Sequence, residues 1–182
     1  MKKGGRLRVD RVYPHARATV WRALTDRDLL GRWLMPNDFR PELGHEFTFE
    51  TEPGPGFDGV VRCRVLAIDE PRSMTWSWRG GPIDTEVTFS LEPVAAGTRL
   101  VVVHEGFRGV KSRLVQLILG IGNRTLYGKR LPQLLDELER GVAMSPSPTD
   151  PAACMSPWQR FLIFVTGRLP GRRRGDDPPP SA

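Results

Sequence analysis

The side chains that could do chemistry are few and scattered. His15, His45 and His104 fall in different segments, without the HExxH or CxxC spacing that converges three or four ligands on zinc, so no metal site is expected. No serine or cysteine has a base placed to activate it, and no catalytic residue is nominated. The run Gly54-Pro55-Gly56-Phe57-Asp58-Gly59 spells GxGxxG. A dinucleotide loop must open a helix whose amides hold the pyrophosphate, whereas here strand-like alternation lies on both sides. The run reads as a hairpin connection, and no cofactor is expected.

His104 stands apart, because alternation puts it on the inward face with Leu100 and Val102. It is either a buried histidine satisfied by a neighbouring hydroxyl or carbonyl, or a polar handle or general base for a bound molecule. Glu105 cannot orient it, since adjacent strand residues face opposite sides. Arg11 shares the inward phase of Leu7 and Val9, and Arg130 lies one step from a helical apolar stripe. Each could hold a carboxylate or phenolate at a pocket mouth, or simply reach solvent along its aliphatic stem.

The strongest constellation is aromatic. Phe47 and Phe49 alternate with Glu46, Thr48 and Glu50; Val61, Cys63 and Val65 with Arg62 and Arg64; Met74, Trp76 and Trp78 with Ser73, Thr75 and Ser77. Val87, Phe89 and Leu91 alternate with Glu86, Thr88 and Ser90, and Leu100, Val102 and His104 follow in the same period. Period two marks strands with one buried face, and Asp69-Glu70-Pro71, Gly80-Gly81-Pro82 and Ala96-Gly97 supply the turns between them. Five consecutive strands joined in this way make an antiparallel meander.

Other elements frame the meander. Leu7, Val9, Arg11 and Tyr13 form an earlier strand, then Val20, Trp21 and Leu24 take helical spacing. Thr25 is placed to cap a second short helix, with Asp28 three residues on and Leu29, Leu30 and Trp33 on its buried side. After Gly109, Leu114, Leu117 and Ile118 begin a helical stripe that Tyr127, Leu131, Leu134, Leu135 and Leu138 continue. Pro132 should bend this helix or mark a boundary within it, and Gly141 suits its end. The expected fold is α+β: a curved six-stranded antiparallel sheet around a long C-terminal helix, with two short helices after the first strand. The volume inside is either a packed core or a pocket, and the concave sheet needs more filling than one helix supplies. The expected lining of a pocket is Arg11, Trp33, Phe47, Phe49, Cys63, Met74, Trp76, Trp78, Phe89, His104, Tyr127 and Arg130.

The chain has 182 residues and a formal net charge of +6. Over residues 1–141, 22 Lys and Arg interleave with 18 Asp and Glu, which lacks the continuous basic stripe of a nucleic-acid binder. The two cysteines, Cys63 and Cys154, are too few for a disulfide framework, and no apolar run reaches the length of a membrane span or forms a signal peptide. A cytoplasmic protein without integral membrane segment is expected. Residues 6–141 form the expected domain. Residues 142–182, with eight of the 17 prolines, form a tail. In it Trp158, Phe161, Leu162, Val165 and Leu169 are spaced for one face of a short helix over about 157–169, with Arg172, Arg173 and Arg174 beyond. That segment could dock on protein, its own domain or a partner, or lie on an anionic membrane.

The segments Val20-Trp21-Arg22-Ala23-Leu24 and Leu30-Gly31-Arg32-Trp33-Leu34-Met35-Pro36-Asn37-Asp38-Phe39 resemble the N-terminal region of the SRPBCC/START superfamily. Within it, the chain is most similar to the group of activator of heat shock protein 90 ATPase homologues (Aha-type, C-terminal-domain-like). Gly44-His45-Glu46-Phe47, Asp69-Glu70-Pro71-Arg72, Gly97-Thr98-Arg99-Leu100 and His104-Glu105-Gly106-Phe107 match later landmarks of that group in order. The resemblance spans roughly residues 7–138 and implies the helix-grip fold with a deep hydrophobic cavity between sheet and long helix. Relatives often place Gly-Trp at the start of the final helix, where this chain has Gly122-Asn123. Three functions follow as expectations, in this order: binding of a small hydrophobic, aromatic or lipid-like ligand; regulation of a protein partner in the manner of chaperone ATPase activators; cyclase- or hydrolase-like catalysis using His104 or Arg11.

Overall fold

A computed structural model describes residues 4–53 and 56–141, apart from the side chains at 111 and 118. Gly54, Pro55, Cys154 and the expected tail helix therefore lie outside the described residues. Strand β1 (Gly5–Tyr13) leads into helices α1 (Arg17–Thr25) and α2 (Arg27–Trp33). Strands β2 (Glu46–Glu50), β3 (Val60–Asp69), β4 (Ser73–Gly80), β5 (Ile83–Val94) and β6 (Gly97–Phe107) follow. The chain ends its described course in α3 (Gly109–Thr125), a π-helical turn (Leu126–Arg130) and α4 (Leu131–Glu139). The six strands form one antiparallel sheet in the order β1-β6-β5-β4-β3-β2. This is the α+β helix-grip architecture. The meander pairs neighbours in sequence, and β1 returns to close against β6 with Tyr13 opposite Thr98.

The sheet has two edges. Beside β2, Asn37 forms a bridge to Phe49 and Glu50 donates to the Pro36 carbonyl at 3.0 Å. The outward side chains of β1 include Arg6, Arg8 and Asp10, with Arg8 on Asp10 at 2.8 Å and Arg99 of β6 bonded to the same carboxylate at 2.7 and 2.8 Å.

Two local devices differ from the sequence expectation. The cap of α2 is Asp26, not Thr25: its Oδ1 accepts from the amides of Asp28 and Leu29 at 3.0 and 3.1 Å. Thr25 instead closes α1, its hydroxyl donating to the Trp21 carbonyl at 2.9 Å. An ionised carboxylate is the better acceptor for free helix-start amides, so the acid one residue later takes the role. The second device is the π-turn. Pro132 has no N–H to give the Gly128 carbonyl, and its ring crowds that position. The preceding turn widens, and the Leu131 amide reaches back five residues to the Leu126 carbonyl. That leaves the Tyr127 carbonyl without a helical donor. The buried Tyr13 hydroxyl, at the end of β1, donates to it at 2.6 Å. The proline thus marks the expected boundary within the helix, which widens upstream and uses the freed acceptor as a tie to the sheet.

The core lies under the π-turn and α4. Leu131, Leu134 and Leu135 are buried there against Val20, Leu24, Leu30 and the aromatic face of the sheet. Further ties fix α4 to α2 and to the turn before α1. Arg32 reaches Glu137 at 2.5 Å, and buried His15 sets Nε2 3.1 Å from Asp136 and Nδ1 3.0 Å from Glu139, the latter without hydrogen-bond alignment. The β5–β6 turn fits beneath: Gly97 has φ +123°, and a Cβ there would come within 2.2 Å of the Tyr13 carbonyl, so only glycine serves. Helix α3 is different. Among its described side chains only Ser112 is buried, and Val115 and Leu119, on the side facing the sheet, are half-buried.

Tyr13→Phe should strand the Tyr127 carbonyl in an apolar setting and cost about 1–3 kcal/mol. Urea unfolding of the two proteins measures it; an unchanged midpoint would show that the tie contributes nothing.

Candidate functional site

The concave face of the sheet carries interlocked aromatic rings. Trp76 of β4 sits at their centre with centroids 4.7 Å from Phe89, 5.4 Å from Phe47, 5.5 Å from Phe39 and 5.9 Å from Phe49, all edge to face. Such geometry sets the positive ring edge on the negative face of its neighbour. Trp33, at the end of α2, donates its Nε1–H to the Ala23 carbonyl at 2.9 Å and meets Tyr127 edge-on at 5.4 Å. Met74 and Cys63 complete the same buried cluster. Burial, with a smaller push from Asp38, holds the Cys63 thiol far above its ordinary range, so it is a packing group and not a nucleophile.

Trp76 differs from Trp33 in one respect. Its Nε1–H is fully buried and has no hydrogen-bond partner. An indole donor left unpaired in an apolar interior costs roughly 1–3 kcal/mol.

At the β4–β5–β6 end the lining turns mixed. Trp78 is half-buried, 5.3 Å from Phe49 and 5.8 Å from the His104 ring, which lies 4.6 Å from Phe107. His104 Nε2 is 2.7 Å from the Thr85 hydroxyl, whose oxygen is also 3.2 Å from the Trp78 carbonyl. If Thr85 donates to that carbonyl, its lone pair accepts from Nε2–H; the reverse assignment makes Nε2 the acceptor. Burial pushes the His104 pKa down to about 4, so the ring is neutral near pH 7.

The two arginines stand outside this interior. Register puts Arg11 opposite buried Leu100, on the inner face, but β1 is an edge strand and the side chain is exposed. Its Nη2 lies 3.8 Å from where a Gly128 Cβ would be, so the guanidinium rests against the π-turn. Arg130 is half-buried on that same turn. The structure thus brings Trp33, Phe47, Phe49, Cys63, Met74, Trp76, Phe89 and Tyr127 together, sets Trp78 and His104 at one end, and leaves Arg11 at the rim.

Sequence reasoning did not select Phe39 and Thr85. Phe39 follows α2 in a segment without periodicity, and is fixed by the Asn37 side chain accepting from its amide at 3.1 Å. Thr85 could have been found by extending the β5 alternation two residues upstream, through Ile83, Thr85 and Val87. On the outer face a broad groove of about 1370 Å³ is lined by Glu46, Arg62, Arg64, Arg79, Glu86 and Glu105 among others. Three of its arginines are paired: Arg64 with Glu46, Arg62 with Asp58 and Arg79 with Asp84. Among the described residues no three His, Cys, Asp or Glu converge as metal ligands, and no helix is long and apolar enough to cross a membrane.

Comparison with known proteins agrees with this fold. Residues 14–135 match the family described as Activator of Hsp90 ATPase homolog 1-like protein. The chain belongs to that family. The protein MLL2253 from Mesorhizobium loti is 32% identical, with a TM-score of 0.66 over 73% of this chain and 98% of its own. BH1534 from Bacillus halodurans superposes with a TM-score of 0.62 at 24% identity, covering 74% of this chain and 99% of its own. CalU16 from Micromonospora echinospora, at 20% identity, covers 90% of this chain and 87% of its own with a TM-score of 0.59. These last two speak to fold alone. No curated protein matches.

The neutral His104 predicts a pH dependence. Its folded pKa near 4 lies below the ordinary value of 6.5, so stability is full above pH 6.5 and is lost as pH falls from 6.5 to 4, where only the unfolded chain takes the proton. The loss attributable to this one group is at most about 3 kcal/mol. Unfolding curves of wild type and His104→Gln across that range should diverge accordingly; parallel curves would mean that His104 protonates freely in the fold.

Proposed function

We propose that this chain binds a small, flat, largely apolar molecule carrying one hydrogen-bond acceptor, in the space between the sheet and the C-terminal helix. The observation that carries the reading is the Trp76 indole N–H, buried among rings with nothing to accept its hydrogen bond. Folded proteins leave few such donors, and an acceptor supplied from outside is the direct remedy. A carbonyl, ether or phenolic oxygen on an aromatic or lipid-like ligand would supply it. Edge-to-face neighbours such as Phe47, Phe49 and Phe89 suit a ring inserted among them.

Entry is by the seam under α3. At that seam Leu7 and Val9 on β1 and Val115 and Leu119 on α3 are half-buried. Below α4 the equivalent positions are buried. Shifting α3 outward would therefore expose little that is not already wet, whereas α4 is held by the Arg32–Glu137 ion pair, the His15 contacts and the Tyr13 tie. His104 and Thr85 form a polar spot at that end and give a second point of orientation. Among the described residues no nucleophile has an activating base, and burial leaves His104 a weak base near pH 7, so binding is better supported than catalysis.

The test is direct. Screening the purified chain against aromatic and lipid-like compounds with and without a carbonyl or phenol should quench tryptophan fluorescence and raise Tm for the acceptor-bearing members. Trp76→Phe should weaken those ligands about fivefold while costing the free protein less than about 2 kcal/mol, since the variant also removes an unsatisfied donor. A cost above about 3 kcal/mol, as for an ordinary core truncation, would mean that the indole is already paired in solution. No ligand response from any compound, together with stable capture of a protein partner, would replace this reading with that of a regulator acting through its surface.

A further inference from the structure

Along α3, Val110, Leu114, Leu117 and Ile121 are 87, 60, 64 and 61% exposed. At about 100° per residue they fall in one line, roughly 16 Å long, on the side opposite Ser112 and Leu119. Scattered exposed apolar residues are ordinary, but four in line on one helix mark an interaction surface. The charge around them has one sign. Between Glu105 and Asp136 the sequence holds six Lys and Arg and no acid. Arg113 and Arg124 are exposed and lie one step to the side of the line, and exposed Arg108 precedes the helix.

We propose that the outer face of α3 docks on an anionic lipid bilayer, with the apolar line in the interfacial region and the flanking arginines against phosphate headgroups. A convex apolar line with cationic flanks is the form of an interfacial helix, and it offers no groove for a partner's side chains. Charge separates the candidate occupants. The tail segment with Trp158, Phe161, Leu162, Val165 and Leu169 is apolar too, but it carries Arg160, Arg168, Arg172, Arg173 and Arg174, with no acid between Asp150 and Asp176. Folding it onto α3, or stacking α3 on a second copy, would bring like charges together. An anionic surface accepts both segments, and two weak contacts on one chain reinforce each other. The attachment is peripheral, reversible and weakened by salt. It uses the face of α3 that points away from the ligand space, so it stands without the binding proposal.

The full chain is sedimented with vesicles of phosphatidylcholine alone and of phosphatidylcholine mixed with phosphatidylglycerol. Binding is expected only to the mixed vesicles, falling as salt rises. Leu114→Ser with Leu117→Ser, both exposed and so neutral for folding by circular dichroism and Tm, should lower vesicle affinity at least about tenfold. Trp158→Ser with Phe161→Ser should lower it without abolishing it. Equal binding to both vesicle types, or none to either, overturns the proposal. So does a Leu114/Leu117 variant that binds like wild type, which would assign the membrane contact to the tail. Light scattering provides the last check: a dimer that the Leu114/Leu117 variant dissociates would make the line a contact between copies and overturn the lipid assignment.

Discussion

The arrangement turns on a single hydrogen bond, from the Tyr13 hydroxyl to the Tyr127 carbonyl. An open sheet with one apolar face needs a cover, and the cover must be held at a fixed height. Here the height is fixed where β1 ends and the helix widens. Pro132 withholds a donor, the π-turn reassigns the Leu131 amide, and the surplus carbonyl faces the sheet. Burial keeps the Tyr13 hydroxyl protonated over the accessible pH range, so the donor is always present. A helix-breaking residue thus becomes the means of attachment.

From that point the helix has two characters. Toward its C-terminus, α4 is tied by Arg32–Glu137 and the His15 contacts and covers fully buried leucines. Toward its N-terminus, α3 rests on β1 through Leu7 beside Gly120 and a hydrogen bond from the Gln116 side-chain amide to the Arg6 carbonyl at 3.0 Å. A firm half beside a loose half lets the scaffold keep its shape while one wall adjusts. Family membership and the superposed relatives define the scaffold; the loose wall and the orphan indole are read from this chain's own side chains.

The sheet was legible in the sequence because its strands alternate cleanly, and period two has one structural meaning when turns punctuate it. Trp76, Phe89 and His104 were assigned their faces on that ground alone. The helix was legible as a stripe but not as two halves, because periodicity reports which residues share a face and not how closely that face approaches its partner. Leu114 and Leu117 illustrate the point: helical spacing made them candidates for burial, and they face solvent. The Asp26 cap went to the neighbour of the expected residue because Thr and Asp are both competent and the better acceptor takes the amides. Phe39 was invisible to periodicity because an Asn37 loop places it.

The charged border of β1 carries a consequence of its own. A six-stranded sheet that does not close into a barrel leaves main-chain donors and acceptors along its margins, an invitation for another chain to add a strand and for fibres to grow. Arg6, Arg8 and Asp10, presented at alternate positions and partly locked to Arg99, make any such newcomer bury ions before it can form a ladder. At the opposite margin the Asn37 bridge already occupies the place a foreign strand would take. The molecule can therefore keep a greasy concave surface and an open sheet without becoming a seed for its own precipitation.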